Sequence, residues 1–211
     1  LWRHPLMKIG AREIGNGRPC FIIAEAGTNH AHKQRSWRLR KAIDYARAAQ
    51  EAGADAVKFQ LFVTGEPLFC PLDGDDRRQV RWSHSLMRLE AWAEVKTACD
   101  KNDIAFLAST FQSTAILWLK QLGVAAYKVA SRAAATYPYH AVPGPFIISE
   151  GLCQPLRLVR KHEVAKDDFR LQCVMKYPTP LAEARWKFDP ADYDCDGSGP
   201  FDGLSDHSGT V

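Results

Sequence analysis

Two lysines interrupt strands that are otherwise apolar: Lys58 in Ala56-Val57-Lys58-Phe59-Gln60 and Lys128 in Ala126-Tyr127-Lys128-Val129-Ala130. An ammonium group is costly to bury there without a partner. One available partner is an internal carboxylate such as Glu25. The other is a phosphate or carboxylate on a ligand, with Ser131, Ser149 and Ser205 at further strand ends donating hydrogen bonds. Three serines beside two lysines favour the ligand. Gln60, Ser109, Lys176, Tyr177, Asp206 and His207 also close strands, so the polar residues gather at one end of the expected sheet. The chemistry they suggest is the holding of an anionic substrate. By itself, His207 reads more readily as a surface or core-satisfied histidine than as a ligand.

Short β-type runs alternating with helix-type runs must position these residues. A hairpin is expected around Lys8 to Gly17, turning at Gly15-Asn16-Gly17, followed by the apolar strand Cys20-Phe21-Ile22-Ile23-Ala24. Leu39, Ala42, Ile43, Ala46 and Ala49 recur at helical spacing and predict a helix from about Gln34 to Ala52, with Gly53 as its C-terminal cap. A second strand covers 56–60, a long polar loop follows, and a helix is predicted from about Ser85 to Asn102. Further strands are predicted at 104–108, 126–130, 146–149, 171–174 and 201–205, with a helix from Thr114 to Leu122. Tyr137-Pro138, Pro143 and Pro145 argue against a full helix between the fourth and fifth strands.

Continuous apolar strands alternating with helices imply a parallel sheet buried on both faces. Seven strands without a GxGxxG after the first predict an α/β fold of the TIM-type (β/α)8 class, incomplete, with an N-terminal β-hairpin. In that fold the residues closing each strand face the active-site mouth.

Composition narrows the function classes. At 211 residues, 46% apolar and 25% charged, the chain reads as one ordinary globular domain. No apolar run approaches the roughly 20 residues of a membrane span. The opening Leu1-Trp2-Arg3-His4-Pro5 has no signal-peptide character, so a cytoplasmic location is the default expectation. Six cysteines without CxxC spacing read as free thiols. The net charge of +4 owes much to Arg35, Arg38, Arg40, Lys41 and Arg47 on one helix, a solvated face that predicts no nucleic-acid partner.

Five stretches, in order, resemble the N-acetylneuraminate (sialic acid) synthase family. They are Ile23-Ala24-Glu25-Ala26-Gly27-Thr28-Asn29-His30, Gly53 through Gln60, Ala126 through Ser131, Gln172-Cys173 with Tyr177-Pro178, and Gly203-Leu204-Ser205-Asp206-His207-Ser208. The resemblance implies condensation of phosphoenolpyruvate with an N-acetylhexosamine, typically N-acetylmannosamine, using a divalent metal such as Mn2+ or Mg2+. It implies that Lys58 and Lys128 bind phosphoenolpyruvate, helped by Ser131, Ser149 and Ser205, and that Gln60 and Tyr177 line the site. Glu25 matches an essential acid near the attacking water, and His207 matches a metal ligand. Asn29-His30 belongs to the pattern without a metal role, and His32 is a weaker candidate for one. A homodimer is implied as well.

The sequence departs from that pattern at several places. Arg132-Ala133 stands where the family has glycine followed by an acid that orients the sugar, and Val174-Met175 replaces a polar pair before Tyr177-Pro178. Glu150 follows Ser149, which predicts an acid near the bound phosphate. Residues 1–211 are expected to form a single, partial barrel domain lacking an eighth strand, its second metal-ligating histidine and the family's antifreeze-like C-terminal domain. A non-catalytic relative that binds an acidic or phosphorylated sugar is the alternative from another class.

Overall fold

The computed structural model describes residues 7–15, 17–70, 76–151, 168–174, 176, 178–183 and 201–208. They belong to two compact units, Leu1–Tyr127 and Lys128–Val211.

The first unit opens with the antiparallel pair β1 (Met7–Ile9) and β2 (Arg12–Ile14), in the register Met7↔Ile14. Its turn lies at Gly10, not at the expected Gly15-Asn16-Gly17. Gly10 supplies the positive φ (+60°) the reversal needs, and Met7 and Ile9 bury one face of the short pair. Three parallel strands follow: β3 (Ile23–Gly27), β4 (Ala56–Leu61) and β5 (Ala105–Thr110).

Helix α1 (Arg35–Glu51) joins β3 to β4 and buries Arg38, Ala42, Ala46 and Ala49, the stripe expected of helical spacing. Gly53 ends it at φ +81° with its N–H on the Gln50 carbonyl. Between β4 and β5 lie α2 (Asp76–Ser83) and α3 (Leu89–Lys101), and α4 (Ser113–Gln121) follows β5. Helix α2 falls where a polar loop was expected. Its Val80 is 56% exposed, so apolar periodicity could not reveal it. Trp82, two residues on, stacks on Phe62 at 4.6 Å, and Phe62 stacks on Phe111 at 5.4 Å.

Helix α4 has no cap from the residue before it. The Glu66 carboxylate instead accepts from the backbone N–H groups of Ser113 (2.7 Å) and Thr114 (3.1 Å), a remote cap that also suits the helix dipole. Gln112 is thereby left to hold the loop after β4. Its amide donates to the carbonyls of Val63 (3.0 Å) and Glu66 (2.7 Å) and accepts from Val63 N–H (2.9 Å).

The second unit begins within β6 (Tyr127–Val129) and contains the parallel strands β7 (Phe146–Glu150), β8 (Phe169–Cys173) and β9 (Gly203–Ser205). Between β6 and β7 there are turns and one 3-10 turn, Tyr139–Ala141, in place of a helix, as the prolines predict. Tyr137, Tyr139 and Phe146 pack there with ring centroids 5.1–6.0 Å apart. Gly203 has a packing reason as well: a Cβ there would stand 2.9 Å from Leu171 Cδ2.

One device recurs in both units. Asp55, Asp168 and Asp202 each immediately precede a strand, and each carboxylate accepts a backbone N–H at or beside the start of the neighbouring strand. The donors are Ile22 (2.8 Å), Phe146 (2.8 Å) and Arg170 (2.7 Å). These clips lie at the N-terminal ends of strands, the end a barrel uses for stability. They also account for the shift of the first strand. Ile22, 51% exposed, is spent on Asp55, so pairing with β4 starts at Ile23 and runs on to place Glu25 inside the ladder.

Candidate functional site

In the first unit, the parallel register sets Glu25 beside Lys58 and Gln60 beside Ser109. Lys58 and Gln60 are the two incompletely buried residues of β4, and alternation puts them on one face of the sheet. Lys58 forms an ion pair with Glu25, the internal-carboxylate partner that sequence reasoning had left open. The lysine side chain is 13% exposed and the glutamate 51%, so the carboxylate is the accessible member. The ladder shifts register between Glu25 and Gly27, and Gly27 takes φ +52°. A Cβ there would come within 3.1 Å of Glu25 Oε1, so the glycine leaves the carboxylate its room.

The segment after β3 is fixed to the segment before α3 by three donors on three consecutive carbonyls. His32 N–H donates to His84 (2.9 Å), His30 Nε2 to Ser85 (3.0 Å) and Arg38 Nη1 to Leu86 (2.7 Å). Arg38 Nε also donates to the His32 carbonyl at 2.7 Å. This buried guanidinium serves backbone carbonyls, and its pKa is lowered chiefly by burial and then by Arg35. The charge run on α1 therefore contains one residue that is not solvated, Arg38. Its signal in the sequence was its place one turn before Ala42, on the buried stripe.

His30 is fully buried, edge-on to Trp92 (centroids 5.2 Å apart) and Phe59 (5.7 Å). Burial lowers its pKa to about 4, against smaller upward pulls from the backbone of Ser85 and Gly27. It is a core histidine, packed among aromatic rings and bonded to the Ser85 carbonyl. His32 sits beside Trp37, with Nδ1 accepting from Gln34 N–H at 3.1 Å.

In the second unit, Lys128 is 3% exposed, and its Nζ donates to Ser149 Oγ at 2.6 Å and to the Val129 carbonyl at 3.0 Å. The register Ser149↔Leu171 and Cys173↔Ser205 places Ser149, Cys173 and Ser205 on one face. His207 closes over that face. Its Nδ1 donates to the Val174 carbonyl at 2.8 Å, Nε2 lies 3.4 Å from Ser205 Oγ, and Cys173 Sγ is 3.8 Å from Nδ1. Burial pushes the Cys173 thiol up to about 11, partly offset by Lys128. Ser131 Oγ accepts from Gly151 N–H at 2.8 Å and so joins the turn after β6 to the end of β7. Tyr177 and Met175 lie outside the described residues.

Glu150 corrects an expectation. Alternation turns it to the face opposite Ser149, where Arg170 holds it in a two-pronged pair, Nε to Oε1 at 2.9 Å and Nη2 to Oε2 at 3.0 Å. Its charge is paired on the face opposite Ser149. Arg170 was missed in the sequence, although a charged residue at the second place of an otherwise buried strand was the available sign.

A divalent metal requires about three or more protein ligands in a site of this kind. Among the described residues no group of three or more histidine, cysteine, aspartate or glutamate side chains is arranged to hold one. His207 is oriented as a ligand would be, with one ring nitrogen on a backbone carbonyl. Alone it does not make a site.

The sequence profile of the NeuB family matches residues 45–211. The chain is 30% identical over 205 residues to the N,N'-diacetyllegionaminic acid synthase of Legionella pneumophila, covering 84% of this chain and 55% of that protein. It is 28% identical over 195 residues to the mouse (Mus musculus) N-acetylneuraminate-9-phosphate synthase, covering 82% and 52% respectively. The chain thus spans about half the length of these curated relatives. The N-acetylneuraminic acid (sialic acid) synthetase structure from Leptospira borgpetersenii superposes with a TM-score of 0.76 at 24% identity, over 98% of this chain and 71% of that one. That likeness shows the fold: an α/β chain of the TIM-barrel class, preceded by a hairpin.

Proposed function

We propose, since this chain belongs to the NeuB family, that it takes part in condensing phosphoenolpyruvate with an N-acetylhexosamine to give a nonulosonic acid and phosphate. The observation that carries the reading is Lys128, a cation buried at 3% exposure within an apolar strand, with Nζ at hydrogen-bond distance from the Ser149 hydroxyl that closes a neighbouring strand. Such a group is suited to an oxyanion.

In the reaction, C3 of phosphoenolpyruvate attacks the aldehyde carbon of the sugar. The C=O π bond opens onto the aldehyde oxygen, which takes up a proton to become a hydroxyl, and loss of the enol π electrons to the new C–C bond leaves C2 electron-poor. Water adds to C2 and gives up a proton, and the tetrahedral centre then expels phosphate as its C–O bond breaks. Lys128, Ser131, Ser149 and Ser205 are assigned to the oxyanions of phosphoenolpyruvate and of the tetrahedral intermediate. Lys58 and Gln60 are assigned to the same ligand. Glu25 receives the proton from the attacking water. Without ligand, Glu25 is held by Lys58. An incoming anion that competes for Lys58 releases the carboxylate for its work as a base. Tyr177 is retained as a further substrate contact.

Mn2+ or Mg2+ remains part of the proposal, with His207 as one ligand. The described residues alone do not complete a site for it. The acceptor is N-acetylmannosamine or a related N-acetylhexosamine, and the assembly a cytoplasmic homodimer. Among the described residues no helix is long and apolar enough to cross a membrane.

Two measurements test the reading. Lys128→Ala is expected to weaken phosphoenolpyruvate binding by roughly 1.5–3 kcal/mol, the scale of a hydrogen bond to a charged group; unchanged affinity in calorimetry would remove the anion site. Phosphate release on mixing the protein with phosphoenolpyruvate, Mn2+ and N-acetylmannosamine tests turnover. Binding without release would favour the non-catalytic relative.

A further inference from the structure

We propose that a basic face on the strand-end side of the first unit draws anionic substrate from solution toward Lys58, so that Lys33, Arg35 and Arg40 set the rate of phosphoenolpyruvate capture without touching it. The inference rests on the synthase reading above and concerns how that site fills.

Positive charge is spread very unevenly along the chain. Residues 26–43 and 77–89 hold nine of the 28 lysines and arginines and none of the 24 acids. The rest of the chain, with 19 cations against 24 acids, is net negative. Hydrogen bonds tie the two basic stretches to each other. Arg81 Nη2 donates to Asn29 Oδ1 at 2.7 Å, His32 N–H to the His84 carbonyl at 2.9 Å and Arg38 Nη1 to the Leu86 carbonyl at 2.7 Å. Lys33, Arg35, Arg40, Arg81 and Arg88 are exposed, and none of them forms an ion pair among the described residues. Arg40 is seated over the Trp37 ring, 5.4 Å from its centroid, which holds its charge at the surface.

The placement runs against local stability. Helix α1 begins with Arg35 and has neither an acid in its first turn nor a side-chain cap, although a helix N-terminus favours negative charge. The pKa of the buried Arg38, lowered first by burial, is lowered further by Arg35. Choices that break a local rule in this way are expected where function repays them. The two stretches follow β3, with Glu25, and β4, with Lys58 and Gln60, so they adjoin the strand ends that carry the assigned polar residues. A one-signed rim beside such a site concentrates ions of the opposite sign and speeds their encounter by about ten- to a thousandfold at low salt. Phosphoenolpyruvate, which carries both a phosphate and a carboxylate, is the anion that site is assigned.

Phosphoenolpyruvate binding to the full chain would be measured at ionic strengths of about 20 mM and about 500 mM, where screening lengths are roughly 20 Å and 4 Å. Calorimetry gives the affinity and phosphorus NMR line shapes the exchange rates. Replacing Lys33, Arg35 and Arg40 together by glutamine should slow association about fivefold or more at the lower ionic strength and by no more than about twofold at the higher, with dissociation held within about twofold. Arg35→Glu alone should slow association at low salt while raising the urea midpoint, because an acid suits the helix N-terminus; it serves if the triple variant fails to fold. Arg47→Gln, on the same helix but paired with Asp44 at 2.8 Å, should leave association within about twofold. Unchanged association in the triple variant overturns the proposal. So does a loss carried by faster dissociation, which would make these residues direct contacts. A single-stranded oligonucleotide bound by the parent chain and lost by the triple variant, with phosphoenolpyruvate association unchanged, would reassign the face to a macromolecule. Absence of phosphoenolpyruvate binding by the parent chain at both ionic strengths would remove the synthase reading, and the steering with it.

Discussion

The buried imidazole of His30 makes stability depend on pH in a window that can be calculated. In the folded chain burial holds its pKa at about 4, whereas in the unfolded chain it returns to about 6.5. Between those values the unfolded state binds a proton that the folded state refuses, so stability is complete above about pH 6.5 and falls as the pH drops. The loss runs at about 1.4 kcal/mol per pH unit and totals about 3 kcal/mol by pH 4. Paired carboxylates lose their contribution near and below their unfolded values of about 3.9–4.3, so the interval from pH 6.5 to 5 isolates the histidine and should cost about 2 kcal/mol. Urea unfolding at half-unit pH steps would measure it in the parent chain and in His30→Gln, whose amide can still donate to the Ser85 carbonyl. The variant should lose less stability than the parent over that interval by about 2 kcal/mol, whatever its stability at pH 7. Identical slopes would show that His30 charges freely in the folded state. A His30 proton resonance titrating near pH 6.5 would refute the reasoning by a second route.

Glu150→Gln should destabilise the chain by about 3–5 kcal/mol, because it leaves the Arg170 guanidinium buried without its countercharge; Glu150→Leu combined with Arg170→Leu should recover most of that loss in the same urea assay. Asp55→Ala removes the acceptor of Ile22 N–H and should cost about 1–3 kcal/mol, with Asp55→Asn costing less because it keeps an oxygen for that amide. Burial raises the Asp55 pKa, but Arg12 and the Ile22 amide together hold it below its usual value. This contribution is therefore present above about pH 3.9 and lost below it. Cysteine alkylation under native conditions at pH 8, followed by mass spectrometry, should mark exposed Cys20 first. Cys99, buried with its thiol pushed up to about 12, and Cys173, at about 11, should stay unmodified, since about one thiol in ten thousand and one in a thousand would be ionised.

The barrel strands were legible because residues buried on both faces of a parallel sheet leave continuous apolar runs, and the strand at 56–60 was placed within one residue of its end. The first strand was misplaced by three residues because its true start depends on Asp55, thirty-three positions away from Ile22. Helix α2 escaped because its identity rests on Trp82 packing against Phe62, a contact that local periodicity cannot express. The site followed the same rule. Lys58 and Lys128 stood out as charges within apolar runs, whereas the partner each chose depended on register. Glu25 could be assigned to Lys58 only once its neighbouring strand was aligned, and Glu150 could be taken from the Ser149 face only once alternation had turned it over.

The aspartates that precede β4, β8 and β9 also bear on how the chain avoids wrong pairings. In a parallel sheet a slip of one residue sends every side chain to the other face, yet the backbone ladder can re-form at little cost. At Asp55, Asp168 and Asp202 the slipped arrangement would separate a carboxylate from the one amide that faces it. Each junction therefore penalises misalignment locally, independently of the polar residues at the opposite strand ends. A check on strand register is thus built into the end of the sheet where no chemistry is assigned.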